Sequence, residues 1–121
     1  MREHGAMPEP TPSPKARRAQ QQLARQLAEI SFAMPGTITE RHMRCGKPAC
    51  RCKADPPVLH GPYVQWTRKV NNKTVTKLLT PDQRDRYQAW FENDKKLKNL
   101  VSALEALSLQ AASEAEGWDA I

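Results

Sequence analysis

The sequence predicts an α+β fold in a small domain, on three observations. Residues 63–70 and 73–79 are strand-like runs separated only by Asn71-Asn72, the mark of a tight hairpin. Thr80-Pro81-Asp82-Gln83 has the residues of a helix start, and apolar positions then recur at spacings of three and four as far as Ala111. Between an earlier helical stretch and the hairpin, all three cysteines and a histidine crowd into residues 45–60. With 121 residues, 39% hydrophobic and only 6% aromatic, the chain has room for one domain with a thin core. Cores of that size need a metal, a disulfide or a partner chain.

In chain order, residues 1–13 carry Pro8, Pro10 and Pro12 among small and polar residues and read as a disordered tail. The single domain is expected over 14–112, with a second tail over 113–121. Ser13-Pro14 is a cap followed by proline at the first helical position. Leu23, Leu27 and Ile30 then make a narrow apolar stripe on a helix of about 14–33, ended by Pro35-Gly36. The β-branched start of 37–44 suggests a strand leading into Cys45. In the hairpin of 63–79, a type I′ turn at Asn71-Asn72 pairs Val70 with Lys73, Arg68 with Val75, Trp66 with Lys77 and Val64 with Leu79. One face then carries Val64, Trp66, Val75 and Leu79 beside Arg68 and Lys77. The other, with Tyr63, Gln65, Thr67, Lys69, Thr74 and Thr76, is solvated. The long helix is expected over 81–112, with a stripe of Tyr87, Trp90, Leu97, Leu100, Val101, Leu104, Leu107 and Ala111. Two readings of that stripe stand: packing on the hairpin and first helix, or a coiled-coil seam between chains interrupted by Asp94 and Ser108.

Cys45, Cys50, Cys52 and His60 supply four soft or borderline donors, enough to close a tetrahedral site, and this points to Zn²⁺. In an extended Cys50-Arg51-Cys52 run both sulfurs would face one side. With no open position, the zinc would be structural, stapling a loop over 45–60. Iron–sulfur clusters generally take four cysteines, and Cys-x-Cys with a remote His departs from the usual Cys-x2-Cys pairs. His60 has an alternative reading, as a loop residue before Gly61-Pro62, with His42 as the reserve ligand. The absence of a long apolar stretch and of a signal-peptide core predicts a cytoplasmic protein with no membrane partner, where clustered thiols favour metal over disulfide.

Charge is unevenly placed. From Arg41 to Lys77 nine basic residues face only Asp55, a net +8, whereas five basic and eight acidic residues follow from 78 to 121, a net −3. Arg41, Arg44, Lys47, Arg51, Lys53, Arg68, Lys69 and Lys73 suit phosphate contacts, and Trp66 among them suits stacking on a base. The plain alternative is a solvated surface that partly balances three thiolates. No catalytic residues are assigned: there is no phosphate-binding glycine loop, no Ser-His-Asp or Cys-His arrangement, and no carboxylate pair beside the ligand cluster. The chain is therefore not expected to be an enzyme.

The run Arg44-Cys45-Gly46-Lys47-Pro48-Ala49-Cys50-Arg51-Cys52, then His60-Gly61-Pro62-Tyr63, then Lys73-Thr74, resembles an uncharacterised family of small prokaryotic proteins known only as a domain of unknown function. The resemblance covers roughly residues 36–111, leaving out the Pro-rich extension and the first helix. Asn72-Lys73-Thr74 stands where the family tends to have Gly-Lys-Thr. The resemblance implies the same four ligands, and by association a setting near transposases and other mobile-element genes. Taken together, the expectation is a zinc-binding accessory or regulatory protein of a mobile element that contacts DNA or RNA, with a transposase or similar protein as a further partner. The alternative is a protein–protein adaptor or oligomerisation module that uses its helices and binds no nucleic acid.

Overall fold

The computed structural model describes residues 8–119. Helix α1 (Pro14–Ala28) is followed by β1 (Thr37–Met43), a single 3-10 turn (Arg51–Lys53), β2 (His60–Val70), β3 (Lys73–Leu79) and α2 (Pro81–Glu116). This is the expected α+β class, with the hairpin enlarged to a three-stranded antiparallel sheet in the order β1-β2-β3. The chain divides into two compact units. One is Phe32–Asp94; the other joins the described residues up to Ser31 with those from Lys95 onward. No helix among the described residues is long and apolar enough to cross a membrane.

In the sheet unit, Asn71 (φ 51°) and Asn72 (φ 66°) both take the left-handed conformation that a type I′ turn requires. The β2–β3 register follows from that turn: Val70 opposes Lys73, Arg68 Val75, Trp66 Lys77 and Val64 Leu79. β1 pairs along the other edge of β2, from Thr37 opposite Thr67 to Met43 opposite His60, with a register shift between Arg41 and Met43. That pairing draws β2 back to His60, three residues earlier than the hairpin signal alone suggests.

The covered face of the sheet holds Val64, 2% exposed, and α2 contributes Phe91, 4% exposed. Trp66 meets the Phe91 ring edge-on at 5.7 Å. Its indole N–H donates to Pro35 O at 2.8 Å. Gly36 (φ 109°) makes that approach possible, because a Cβ there would lie 2.6 Å from Trp66 Nε1. Val75, expected on this face, is exposed at the sheet edge, where β3 has no outer neighbour. Helix α2 starts with a reciprocal capping box: Gln83 N–H donates to Thr80 Oγ1 at 3.1 Å, and Thr80 N–H to Gln83 Oε1 at 2.9 Å. One turn on, Arg84 pairs with Glu40 of β1.

Helix α1 stops at Ala28, not near 33. The residues after it are claimed by side chains and carbonyls of α2: Phe32 stacks on Trp90 at 4.7 Å. Asn93 Nδ2 donates to Phe32 O, and Met34 N–H to Trp90 O. These contacts hold 32–34 out of helical conformation before Pro35 is reached.

In the helical unit, Ser13 Oγ accepts from Ala16 N–H at 3.1 Å and Pro14 opens α1, as read from the sequence. No residue of α1 is fully buried. The distal α2 stripe of Leu104, Leu107 and Ala111 shares a groove with Ala16 and Gln20 of α1. Leu100 is buried, whereas Val101, counted in the stripe, is 43% exposed. Ser108 does not break the helix because its hydroxyl donates to Leu104 O at 2.8 Å. The helix outruns its expected end at 112 and stops at Glu116. Gly117 (φ 70°) takes the left-handed cap position, and Trp118 N–H bonds back to Ser113 O at 3.0 Å. The expected tail at 1–13 lies outside the described residues for 1–7, and residues 8–13 run without helix or strand.

Candidate metal centre

Three pieces of the sheet unit converge on one point. β1 ends at Met43 and delivers Cys45; a tight turn delivers Cys50 and Cys52; β2 begins at His60, held opposite Met43 by the ladder. The turn is not the extended run expected for 50–52. Cys50 is extended, but Arg51–Lys53 form a 3-10 turn, with Lys53 N–H bonded to Cys50 O at 2.9 Å and Ala54 N–H to Arg51 O at 3.0 Å. Val58 N–H also reaches Arg51 O, at 3.0 Å, closing the loop over the turn. A tight turn brings the two sulfurs together while satisfying its own backbone, which an isolated extended tripeptide cannot do.

The three Sγ atoms and the His60 ring nitrogen all lie within 4.8 Å of one another. Cys45 Sγ and Cys52 Sγ are 3.7 Å apart, and Cys50 Sγ is 3.0 Å from His60 Nε2. A tetrahedron with metal–sulfur bonds of about 2.3 Å has sulfur–sulfur edges of about 3.8 Å. These four residues could hold a metal ion. Cys52 is fully buried and the other three are half-buried. His42, the reserve ligand, does not belong to the cluster.

Cys52 is already biased toward thiolate, its pKa lowered to about 6. The chief cause is the Cys45 N–H, which donates to Cys52 Sγ at 3.3 Å. Burial opposes it, while the Cys45 and Cys50 thiols and the Lys53 ammonium add to it. Cys45 moves the other way. The Lys47 N–H holds it down, but burial and the neighbouring Cys50 and Cys52 outweigh that and raise it. The backbone donors at Cys45 and Lys47 carry no side-chain signal, so sequence reading could not find them. Lys53 reaches both Cys45 O and Cys52 Sγ, the latter at 3.7 Å, and so faces the sulfurs.

The profile of a family described as Domain of unknown function (DUF6788) matches residues 14–89. The chain belongs to that family. The DUF6788 stretch takes in α1, the whole sheet, the Cys/His cluster and the first turns of α2. It therefore includes the first helix, which the 36–111 resemblance left out, and stops short of the distal α2 that the resemblance included. No curated protein and no solved structure matches the chain.

The expected nucleic-acid contacts do not fall on one surface. Within the DUF6788 stretch, Arg44, Lys47, Arg51 and Lys53 sit exposed on the metal loop. By register, Arg41 and Lys69 share one face of the sheet, and Arg68 and Lys73 the other. Trp66 meets Phe91 edge-on and donates to Pro35 O, and the Arg68 guanidinium lies 5.2 Å from its ring centroid. None of Arg41, Arg44, Lys47, Arg51, Lys69 or Lys73 forms an ion pair among the described residues.

Proposed function

We propose that this protein is a non-enzymatic, zinc-stapled nucleic-acid-binding protein. The donor set and spacing support zinc over harder ions, since three thiolates and an imidazole suit a closed tetrahedral Zn²⁺ site. One observation carries the nucleic-acid part: Arg44, Lys47 and Arg51 stand exposed and without carboxylate partners on the loop that the cluster ties together. Cations left uncompensated in this way attract phosphates and release counterions on binding. The metal's role is to hold the loop, not to react. A mobile-element accessory role rests on the family resemblance alone.

The adaptor reading draws on the helical unit, where Val101 and Leu109 are exposed and α1 buries no residue fully. The deciding experiment measures affinity for a generic duplex and a generic single strand at two salt concentrations. Changing Arg44, Lys47 and Arg51 together to Ala is expected to keep the fold and the metal. It should flatten the duplex salt slope by up to about 2.7, from ~0.9 per phosphate contact. Wild-type protein that binds neither probe at low salt would hand the case to the adaptor.

A further inference from the structure

The sheet has two unlike faces. One is closed by Val64, Trp66 and the Phe91 ring, and its only acid, Glu40, is paired with Arg84. On the other, register places Arg41 directly opposite Tyr63, with Lys69 farther along β2 beside Thr74. That face carries no Asp or Glu on any strand. Tyr63 is 36% exposed, and Leu78 on the same face is 56% exposed. Phe32, Trp66, Tyr87, Trp90 and Phe91 each pack against another ring of the sheet unit. Among the described residues Tyr63 makes no ring contact and no hydrogen bond through its hydroxyl.

We infer that this open face seats a single-stranded nucleic acid, with a base stacked on Tyr63 and phosphates met by Arg41 and Lys69. The inference rests on the nucleic-acid reading above and names its substrate class. A ring on an exposed sheet face stacks on a base with a free face, whereas bases inside a duplex are stacked on both sides. Arg41 lies one strand away, about 4.8 Å, and Lys69 about 20 Å along β2 at ~3.3 Å per residue. A cation beside the ring and another farther along fit a backbone crossing the sheet. The threonine hydroxyls between them, such as the Thr67–Thr76 pair at 3.4 Å, can donate to phosphate or sugar oxygens. Arg44, Lys47 and Arg51 belong to the loop between β1 and β2, not to the strands of this face, so the two sets of residues can be changed independently.

The test uses the full chain with its metal, and three probes: a duplex DNA, an unstructured single-stranded DNA and an unstructured single-stranded RNA. Tyr63→Leu should weaken single-strand binding by about 5- to 150-fold, the equivalent of ~1–3 kcal/mol of stacking. Duplex binding and metal content should not change. Tyr63→Phe, which keeps the ring, should bind like the wild type. Arg41→Ala with Lys69→Ala should lower the single-strand salt slope by about 1.4, from ~0.7 per contact. The tighter of the two single-strand probes identifies the source as DNA or RNA. Unchanged single-strand affinity in Tyr63→Leu, or an equal loss on the duplex, overturns the inference and leaves the loop-patch reading intact. Wild-type protein that binds no probe overturns both.

Discussion

Removing the metal should unfold the part of the sheet unit that the ligands tie together. Only Val64 and Cys52 are fully buried large side chains among the described residues, with Phe91 next. Burying Val64 and Phe91 contributes about 1.5–3 kcal/mol each. The loop from Arg44 to Leu59 adds no further buried apolar residue except Cys52, and its backbone bonds are a handful of turn contacts. A structural zinc in a small domain supplies roughly 10–16 kcal/mol near neutral pH, as much as an ordinary domain's whole stability. Losing even ~5 kcal/mol of it would lower the melting midpoint by about 20–40 °C for a domain of this size.

The assay combines metal content per chain with thermal melting and amide hydrogen exchange before and after a strong chelator. About one zinc per chain is expected from the four-ligand count. Exchange should rise first at residues 45–60 and at the His60 end of β2, and last near Asn71-Asn72, whose turn is local. His60→Ala should lower metal affinity, whereas His42→Ala should leave it unchanged, since only His60 joins the cluster. Protein that is metal-free yet melts and exchanges like the loaded form would refute the reasoning.

Two further outcomes follow from particular contacts. Lys53→Ala should lower metal affinity while leaving the duplex salt slope nearly unchanged, because its ammonium faces Cys45 O and Cys52 Sγ; titrating metal and duplex separately checks this, and a slope that falls by a full contact counts against it. Leu104→Asp should destabilise the helical unit by about 1–3 kcal/mol, because half-buried Leu104 lines the α1 groove; Val101→Asp, at an exposed position, should stay within about 0.5 kcal/mol. Melting together with sedimentation distinguishes these costs from a coiled-coil seam, in which Leu104→Asp would give folded monomers.

Short-range signals were legible. Two consecutive asparagines set the hairpin register because the turn they favour has only one length and twist. Thr80 and Gln83 mark the α2 start because each satisfies the other's backbone N–H. Three thiols and a histidine in one short segment were enough to place the cluster, although the 3-10 turn that unites Cys50 and Cys52 was not, since its closing partners are backbone groups. The misreadings come from distant partners. Residues 29–33 have helical character in isolation, but Trp90 and Asn93, far along the chain, claim the segment that follows them. Phe91 lies outside the apolar stripe that the spacing of α2 defines, and its edge-on contact with Trp66 of β2 accounts for its burial. Alternation along β2 places Trp66 on the apolar face and Tyr63 on the other, as the hairpin register implies, but the Phe91 ring that meets Trp66 comes from α2, far along the chain.

The charge on the loop can be apportioned by position. Three thiolates and Zn²⁺ would leave the centre at −1, and Lys53 is the cation set against it, touching both Cys45 and Cys52. Arg44, Lys47 and Arg51 are then not needed to neutralise sulfur, and among the described residues they have no carboxylate to neutralise either. Exposed like charges on one short loop repel each other in the free protein, a cost that a phosphate backbone relieves and an apolar partner does not. That difference is why the loop supports a polyanionic partner more strongly than the helices support an adaptor. If a metal staples this loop, its removal should let the cations separate, and the salt slope should shrink along with the order of residues 45–60.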